Sequence, residues 1–161
     1  MADRDRDQAG RPQNARPRDA LGRPLPRGSS GVPPIPEDLA LPPEESLRYA
    51  QDLLDRGLAF NAHEVLEAAW KTGPDHERTM WQGLAQLAVG ITHIQRGNFK
   101  GAMALLQRAA DHLTAVAGNP PYSVDVAGLL AYASTLRREL TEGAEPTAEQ
   151  LRPALTTPGP R

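Results

Sequence analysis

The spacing of apolar residues is the feature of this sequence that most constrains its fold. Between residues 43 and 142 the apolar residues recur with the period of about 3.6 expected for one face of an α-helix, and no stretch alternates as a strand does. A segment of about one hundred residues is long enough for one domain. The pattern therefore predicts a single all-helical domain over residues 43–142.

Glycine and proline divide this domain into predicted helices, with Asn98 and Ser123 as candidate N-terminal caps. Five helices are predicted, at about residues 43–56, 59–72, 75–96, 99–117 and 124–142. The spacing Ala-x-x-x-Leu-x-x-Ala occurs at Ala62 and again, forty residues later, at Ala102. We interpret this repeated spacing as two helical hairpins that form a compact bundle with the C-terminal helix. A truncated helical repeat is the alternative.

The sequence on either side of the domain lacks a periodic apolar face. Residues 1–42 form an Arg/Pro-rich leader, and nine of the 16 prolines precede Glu44. We predict that this leader and the C-terminal tail at 143–161 are disordered, apart from a short helical turn at 147–151. An extended strap docked on the domain is the alternative for residues 32–36. A fragment of about residues 41–142 is accordingly expected to fold by itself.

The composition excludes several classes of protein. A formal net charge of −2 argues against a general nucleic-acid binder, which normally needs a basic face. The absence of cysteine excludes disulfides, zinc sites with thiolate ligands and cysteine nucleophiles. No stretch approaches the ~20 apolar residues of a membrane span, and the N-terminus has no apolar signal region. We therefore expect a cytoplasmic protein that binds neither nucleic acid nor membrane.

The second predicted helix carries the chemically distinctive residues. His63, Glu67 and Trp70 lie at positions i, i+4 and i+7 on one side, with Phe60 above them and Glu64 at the margin. A solvent-exposed face would not normally combine phenylalanine, histidine and tryptophan. This side is therefore predicted to contact protein or to line a pocket.

Three interpretations of this helix are open. The favoured interpretation is a structural histidine, with His63 hydrogen-bonded to Glu67 and packed beside Trp70. Acid–base chemistry or polar ligand binding is the second, with Glu67 or Glu64 fixing the tautomer of His63. A divalent metal at His63 and Glu67 is the third, but this pair supplies only two ligands and the zinc-protease motif is incomplete. We expect no cofactor.

The third predicted helix adds polar candidates on the side opposite its apolar stripe, namely Gln82, Gln86 and His93. Gln86 is the predicted partner of His63 or Glu64. If the second and third helices form an antiparallel hairpin, His63 faces the level of Leu84, between Gln82 and Gln86. His93 lies nine residues beyond that level, roughly 13 Å away at 1.5 Å per residue. A metal site shared by His63 and His93 is therefore not expected.

Three segments resemble a known family in the same order and with the same spacing: residues 60–70, residues 81–90, and residues 93–106. Together they resemble the small prokaryotic family called domain of unknown function 309, over about residues 46–113. The resemblance implies a compact all-helical fold, and it does not imply any particular activity. The family's signature positions correspond here to His63, Glu64, Glu67, Trp70, Gln86 and His93.

Two functions are compatible with these residues. The first is a non-enzymatic module that binds a protein partner or a small polar ligand, for which the candidate binding residues are Phe60, Trp70, Gln82, Gln86 and His93. The alternative is a small hydrolase-like enzyme, metal-assisted or metal-free, whose candidate catalytic residues are His63, Glu64 and Glu67.

Overall fold

The computed structural model describes residues 17–26, 28, 30–36 and 38–158. It contains five helices: α1 (Pro43–Asp55), α2 (Ala59–Thr72), α3 (Arg78–Gln95), α4 (Phe99–Ala115) and α5 (Val126–Thr141). The described residues form no strand, and none of their helices is both long and apolar enough to cross a bilayer. The predicted all-helical bundle of five helices is confirmed.

The helix boundaries follow local chemistry. Pro43 opens α1, and Gly57 and Gly97 follow α1 and α3 with a positive φ of 77°, which glycine adopts without strain. The side chain of Asn98 caps α4, as predicted, by accepting a hydrogen bond of 3.0 Å from the Gly101 N–H. These residues place the turns after α1 and α3 where the sequence predicted them.

Two helices begin later than predicted. A short 3₁₀ turn, Asp75–Glu77, precedes α3, which starts at Arg78. The predicted cap of α5 is wrong, because Ser123 lies in another 3₁₀ turn, Pro121–Ser123, that continues the proline break. Asp125 caps α5 instead, its carboxylate accepting from the Gly128 N–H at 3.0 Å.

Helix α3 is the centre of the core and packs against both α2 and α4. Its predicted apolar stripe is buried, with Met80, Leu84, Leu87 and Ile91 all at most 1% exposed. On the side facing α4, a Cβ added to Gly90 would lie 3.1 Å from Leu106 Cδ2. The absence of a side chain at this position therefore allows α3 and α4 to cross closely.

The described part of the leader lies against the bundle. Arg18 forms an isolated antiparallel bridge with Val32, which folds the segment back on itself. Ile35 is only 7% exposed, and the Asn61 side chain donates a hydrogen bond of 3.3 Å to the Pro33 carbonyl. This arrangement corresponds to the docked strap, the alternative left open by the sequence.

The C-terminal segment also folds back onto the helices. Its helical turn is a 3₁₀ turn, Glu149–Leu151, and Leu151 and Leu155 are buried in the same core cluster as the helices. An antiparallel bridge joins Val124 to Thr156 just before α5. The apolar core thus extends beyond residue 142.

A single side chain of α1 holds this C-terminal segment. Gln51 donates from Nε2 to the Pro153 carbonyl at 2.9 Å and accepts at Oε1 from the Leu155 N–H at 2.8 Å. Such contacts depend on main-chain atoms and produce no periodic pattern. The tail prediction, which rested on periodicity alone, therefore did not include them.

We expect Leu87→Ala to lower the free energy of unfolding by about 2–5 kcal/mol, because it removes a fully buried side chain from the central helix. Val89→Ala, at a half-buried position of the same helix, is the control and should cost clearly less. Chemical denaturation of both variants measures the difference. Equal losses would contradict the assignment of the buried face.

We expect Leu155→Ala also to destabilise the protein by about 2–5 kcal/mol, since Leu155 is only 1% exposed although it lies outside the helices. Arg152→Ala, on the exposed side of the same segment, should change stability by less than about 0.5 kcal/mol. Thermal and urea unfolding test both. A Leu155→Ala variant as stable as the wild type would show that the segment does not contribute to the core.

Candidate functional site

Three charged or polar side chains form a ladder along α2. His63 Nε2 lies 2.9 Å from Glu67 Oε2, and Lys71 Nζ lies 2.7 Å from Glu67 Oε1. The helical spacing i, i+4, i+8 brings the three together. The structure thus contains the predicted contact between His63 and Glu67. It adds Lys71, which the same spacing could have identified.

The ladder keeps Glu67 ionised. Its hydrogen bond to His63 is the largest influence on the pKa of Glu67, which falls from 4.5 to about 2 with the help of Lys71 and against the effect of partial burial. A carboxylate with so low a pKa is a weak proton acceptor near neutral pH. Glu67 is therefore better suited to orient His63 than to act as a general base.

The second nitrogen of His63 is not open to a substrate. Among the described residues, His63 Nδ1 and Trp70 Nε1 are buried and have no hydrogen-bond partner. A histidine in acid–base catalysis normally uses one ring nitrogen for an orienting group and presents the other to the substrate. Here Glu67 contacts the first nitrogen, and protein atoms cover the second.

Phe60 lies at the start of α2, where the leader reaches the bundle. Its ring centroid is 5.5 Å from that of His63. The guanidinium carbons of Arg18 and Arg96 lie 5.1 and 5.8 Å from the Phe60 centroid, within the range of cation–π interactions. Gly22 packs so closely on the ring that a Cβ there would overlap it. These long-range contacts leave no periodic signal in the sequence.

Glu64 and Asn61 form the margin of this face. Asn61 is a buried polar residue, 4% exposed, and its amide lies 3.5 Å from Glu64 Oε1 while also donating to the Pro33 carbonyl. Glu64 thus lies where α2 meets the leader.

The predicted pairing of Gln86 with His63 or Glu64 is wrong. Gln86 Oε1 lies 2.6 Å from Nδ1 of His112, a half-buried residue of α4. The physical reason is the close contact of α3 with α4, because Gly83, one turn before Gln86, packs directly against His112. That side of α3 therefore faces α4.

The other two candidates on α3 lie apart from the ladder. Gln82 is half-buried, and His93 Nδ1 lies 3.1 Å from Asn98 Nδ2 in the turn before α4. Burial, and secondarily the charge of Arg96, lowers the pKa of His93. The structure thus brings the α2 candidates together and gives Gln86 and His93 separate partners.

Few side chains around His63 could act as metal ligands. In the described ranges no group of three or more His, Asp or Glu side chains is arranged to hold a metal ion. His63 and Glu67 would provide two ligands, fewer than the three or four that protein zinc sites use. The described geometry therefore gives a metal at this position little support.

A second polar cluster, not predicted from the sequence, lies at the opposite end of α2. The buried carboxylate of Glu77 accepts hydrogen bonds from Trp81 Nε1, at 3.1 Å, and from the Tyr122 hydroxyl. Glu77 and Trp81 are one helical turn apart, and this spacing could have indicated their contact from the sequence. Tyr122 is 45 residues away in the sequence and gave none.

We expect Glu67→Gln to lower the free energy of unfolding by about 1 kcal/mol near pH 7, because the partly exposed ion pair with Lys71 is lost and the hydrogen bond with His63 is weakened. A carboxyl group with a lowered pKa stabilises the folded state above its unfolded-state pKa. The difference from the wild type should therefore shrink as the pH falls from about 4.5 to about 2.

Urea unfolding at several pH values measures this difference. The control is Glu142→Gln, at an exposed glutamate after α5, which should have little effect at any of these pH values. A destabilisation by Glu67→Gln that does not depend on pH would contradict the ionic ladder.

Comparison with known proteins identifies the region that carries this site. The family model described as domain of unknown function (DUF309) matches residues 47–105. A stretch of 48 residues is 44% identical to the uncharacterized protein YpuF of Bacillus subtilis (strain 168); it covers 29% of this chain and 28% of YpuF. No solved structure matches the chain. The resemblance found in the sequence is confirmed, in that residues 47–105 match the DUF309 family model.

Proposed function

We propose that this chain is a non-enzymatic interaction module, and that the face formed by α2 and the end of α3 binds an extended peptide containing arginine. The observation that carries the proposal is the position of the leader, which occupies this face in the manner of a bound peptide. The partner would present a segment of similar chemistry in place of the leader.

Main-chain recognition is the first support. Arg96 Nε donates a hydrogen bond of 2.7 Å to the Leu21 carbonyl, and Asn61 Nδ2 donates to the Pro33 carbonyl at 3.3 Å. Both donors belong to the bundle, and both acceptors are carbonyl groups that any peptide possesses. Such contacts supply affinity without demanding a particular side chain.

Selectivity comes from the surroundings of Phe60. The Arg18 guanidinium stacks on the Phe60 ring and also donates to the Gly22 carbonyl at 2.5 Å. Gly22 contacts the ring at a distance that only a residue without a side chain permits, and its φ of 77° favours glycine. The preferred ligand therefore has an arginine four residues before a glycine.

Apolar anchoring is the third support. Ile35, thirteen residues after Gly22, is buried in the core cluster of the bundle. Burying an aliphatic side chain of this size contributes about 1.5–3 kcal/mol relative to leaving it exposed. An arginine–glycine turn followed by a buried aliphatic residue thus describes the ligand class.

The hydrolase-like alternative has less support from the geometry. It requires a ring nitrogen of His63 that can reach a substrate, whereas Nε2 contacts Glu67 and Nδ1 is buried. The low pKa of Glu67 makes this carboxylate a poor base. A binding role needs neither group to exchange protons.

The test uses the full chain with a weakened leader, Arg18→Ala combined with Ile35→Ala, so that the intramolecular segment competes less effectively. A fluorescent synthetic peptide of residues 17–36 is added, and its anisotropy is measured. We expect saturable binding to this variant. We expect at least about tenfold weaker binding when Phe60→Ala and Asn61→Ala are added, a loss of about 1.4 kcal/mol.

The matched control peptide carries Arg18→Ala and Gly22→Ala and should bind at least about tenfold more weakly than the natural peptide. Circular dichroism confirms that each protein variant keeps its helical content. Equal binding of the two peptides, or binding unaffected by the loss of Phe60 and Asn61, would overturn the proposal.

A further inference from the structure

A cavity of about 220 Å³ lies at the other end of the bundle, among the start of α1, the end of α2 and the start of α3. Its lining includes the apolar residues Leu41, Pro43 and Ala69, together with Glu77 and Trp81. One water molecule occupies about 30 Å³ in the liquid, so the cavity has room for a ligand of several heavy atoms.

Glu77 is the unusual residue of this cavity. It is only 4% exposed, and a buried carboxylate is normally paired with a cation. Its partners in the described structure are Trp81, Tyr122 and His76, whose Nε2 lies 3.5 Å away on a largely exposed side chain. None of these is a lysine or an arginine. Within the described part of the chain, the Glu77 carboxyl group therefore has no permanently charged cationic partner.

Local structure holds this carboxylate in place. Glu77 immediately precedes α3, and the partial positive charge of a helix N-terminus favours an anion there. Tyr122 adopts a left-handed conformation with φ of 58°, as does Ser123 with 59°, and non-glycine residues seldom do so. The hydrogen bond from Tyr122 to Glu77 raises the pKa of Tyr122 to about 12, so the hydroxyl remains a donor.

We infer that this cavity binds a primary alkylammonium group, with the ammonium beside Glu77 and Trp81 and the alkyl chain against the apolar walls. A buried carboxylate next to an aromatic residue is a combination that attracts an organic cation, through charge and through the ring's quadrupole. The ammonium group could come from a free small amine or from a lysine side chain of a protein.

The experiment uses the full chain with ¹⁵N-labelled tryptophan and follows the indole N–H resonance of Trp81, identified with the Trp70→Phe variant. The probes are n-butylammonium chloride and, as the neutral equivalent of similar size, 1-butanol. We expect a saturable shift with butylammonium and at least about tenfold weaker binding of butanol. Equal effects of the two probes, or no saturable shift, would overturn the inference without any substitution in the site.

Glu77→Gln should weaken butylammonium binding at least about tenfold, whereas Glu45→Gln, the same change at an exposed position of α1, should alter it less than about twofold. Unchanged binding in a folded Glu77→Gln variant would also overturn the inference. A further titration with Nα-acetyl-lysine N-methylamide separates the two sources. Binding at least as tight as that of butylammonium indicates a lysine side chain, and much weaker binding indicates a free amine.

Discussion

The close approach of α3 and α4 is the constraint on which the rest of the structure depends. Gly83 and Gly90 remove two side chains from the contact, and Leu113 and Leu106 fill the space. Because α3 is buried on several sides, its rotation toward α4 also decides which residues face α2. The pairing of Gln86 with His112 follows from that rotation.

The sequence predicted the helices well and the contacts between them less well. A helix depends on residues close together in the chain. Its apolar period and its capping residues, such as Gly57 and Asn98, can therefore be recognised in the sequence. The rotation of one helix against another depends on which small residues face inward across the interface. The His63–Glu67 contact was predictable because it lies within one helix, whereas the contacts of Gln86 and Tyr122 cross between elements.

The two flanking segments show a different limit of sequence interpretation. Their contacts are made largely by main-chain atoms, as at Leu21 and Pro33, or by single apolar residues such as Ile35 and Leu155. Periodicity in a sequence reveals repeated apolar positions, but it does not reveal a single apolar residue that is buried on its own. The proline-rich composition suggested a docked strap only as an alternative, for residues 32–36. Its docking depends on donors that lie on α2 and α3.

Gln51 illustrates what such main-chain recognition implies for variation of the sequence. Its carboxamide gives one hydrogen bond to the carbonyl of residue 153 and receives one from the N–H of residue 155, as a neighbouring peptide group would. A glutamate would present only acceptors, and an asparagine is one methylene shorter. A segment a hundred residues away therefore favours glutamine at position 51. That segment can change its exposed side chains without disturbing the contact.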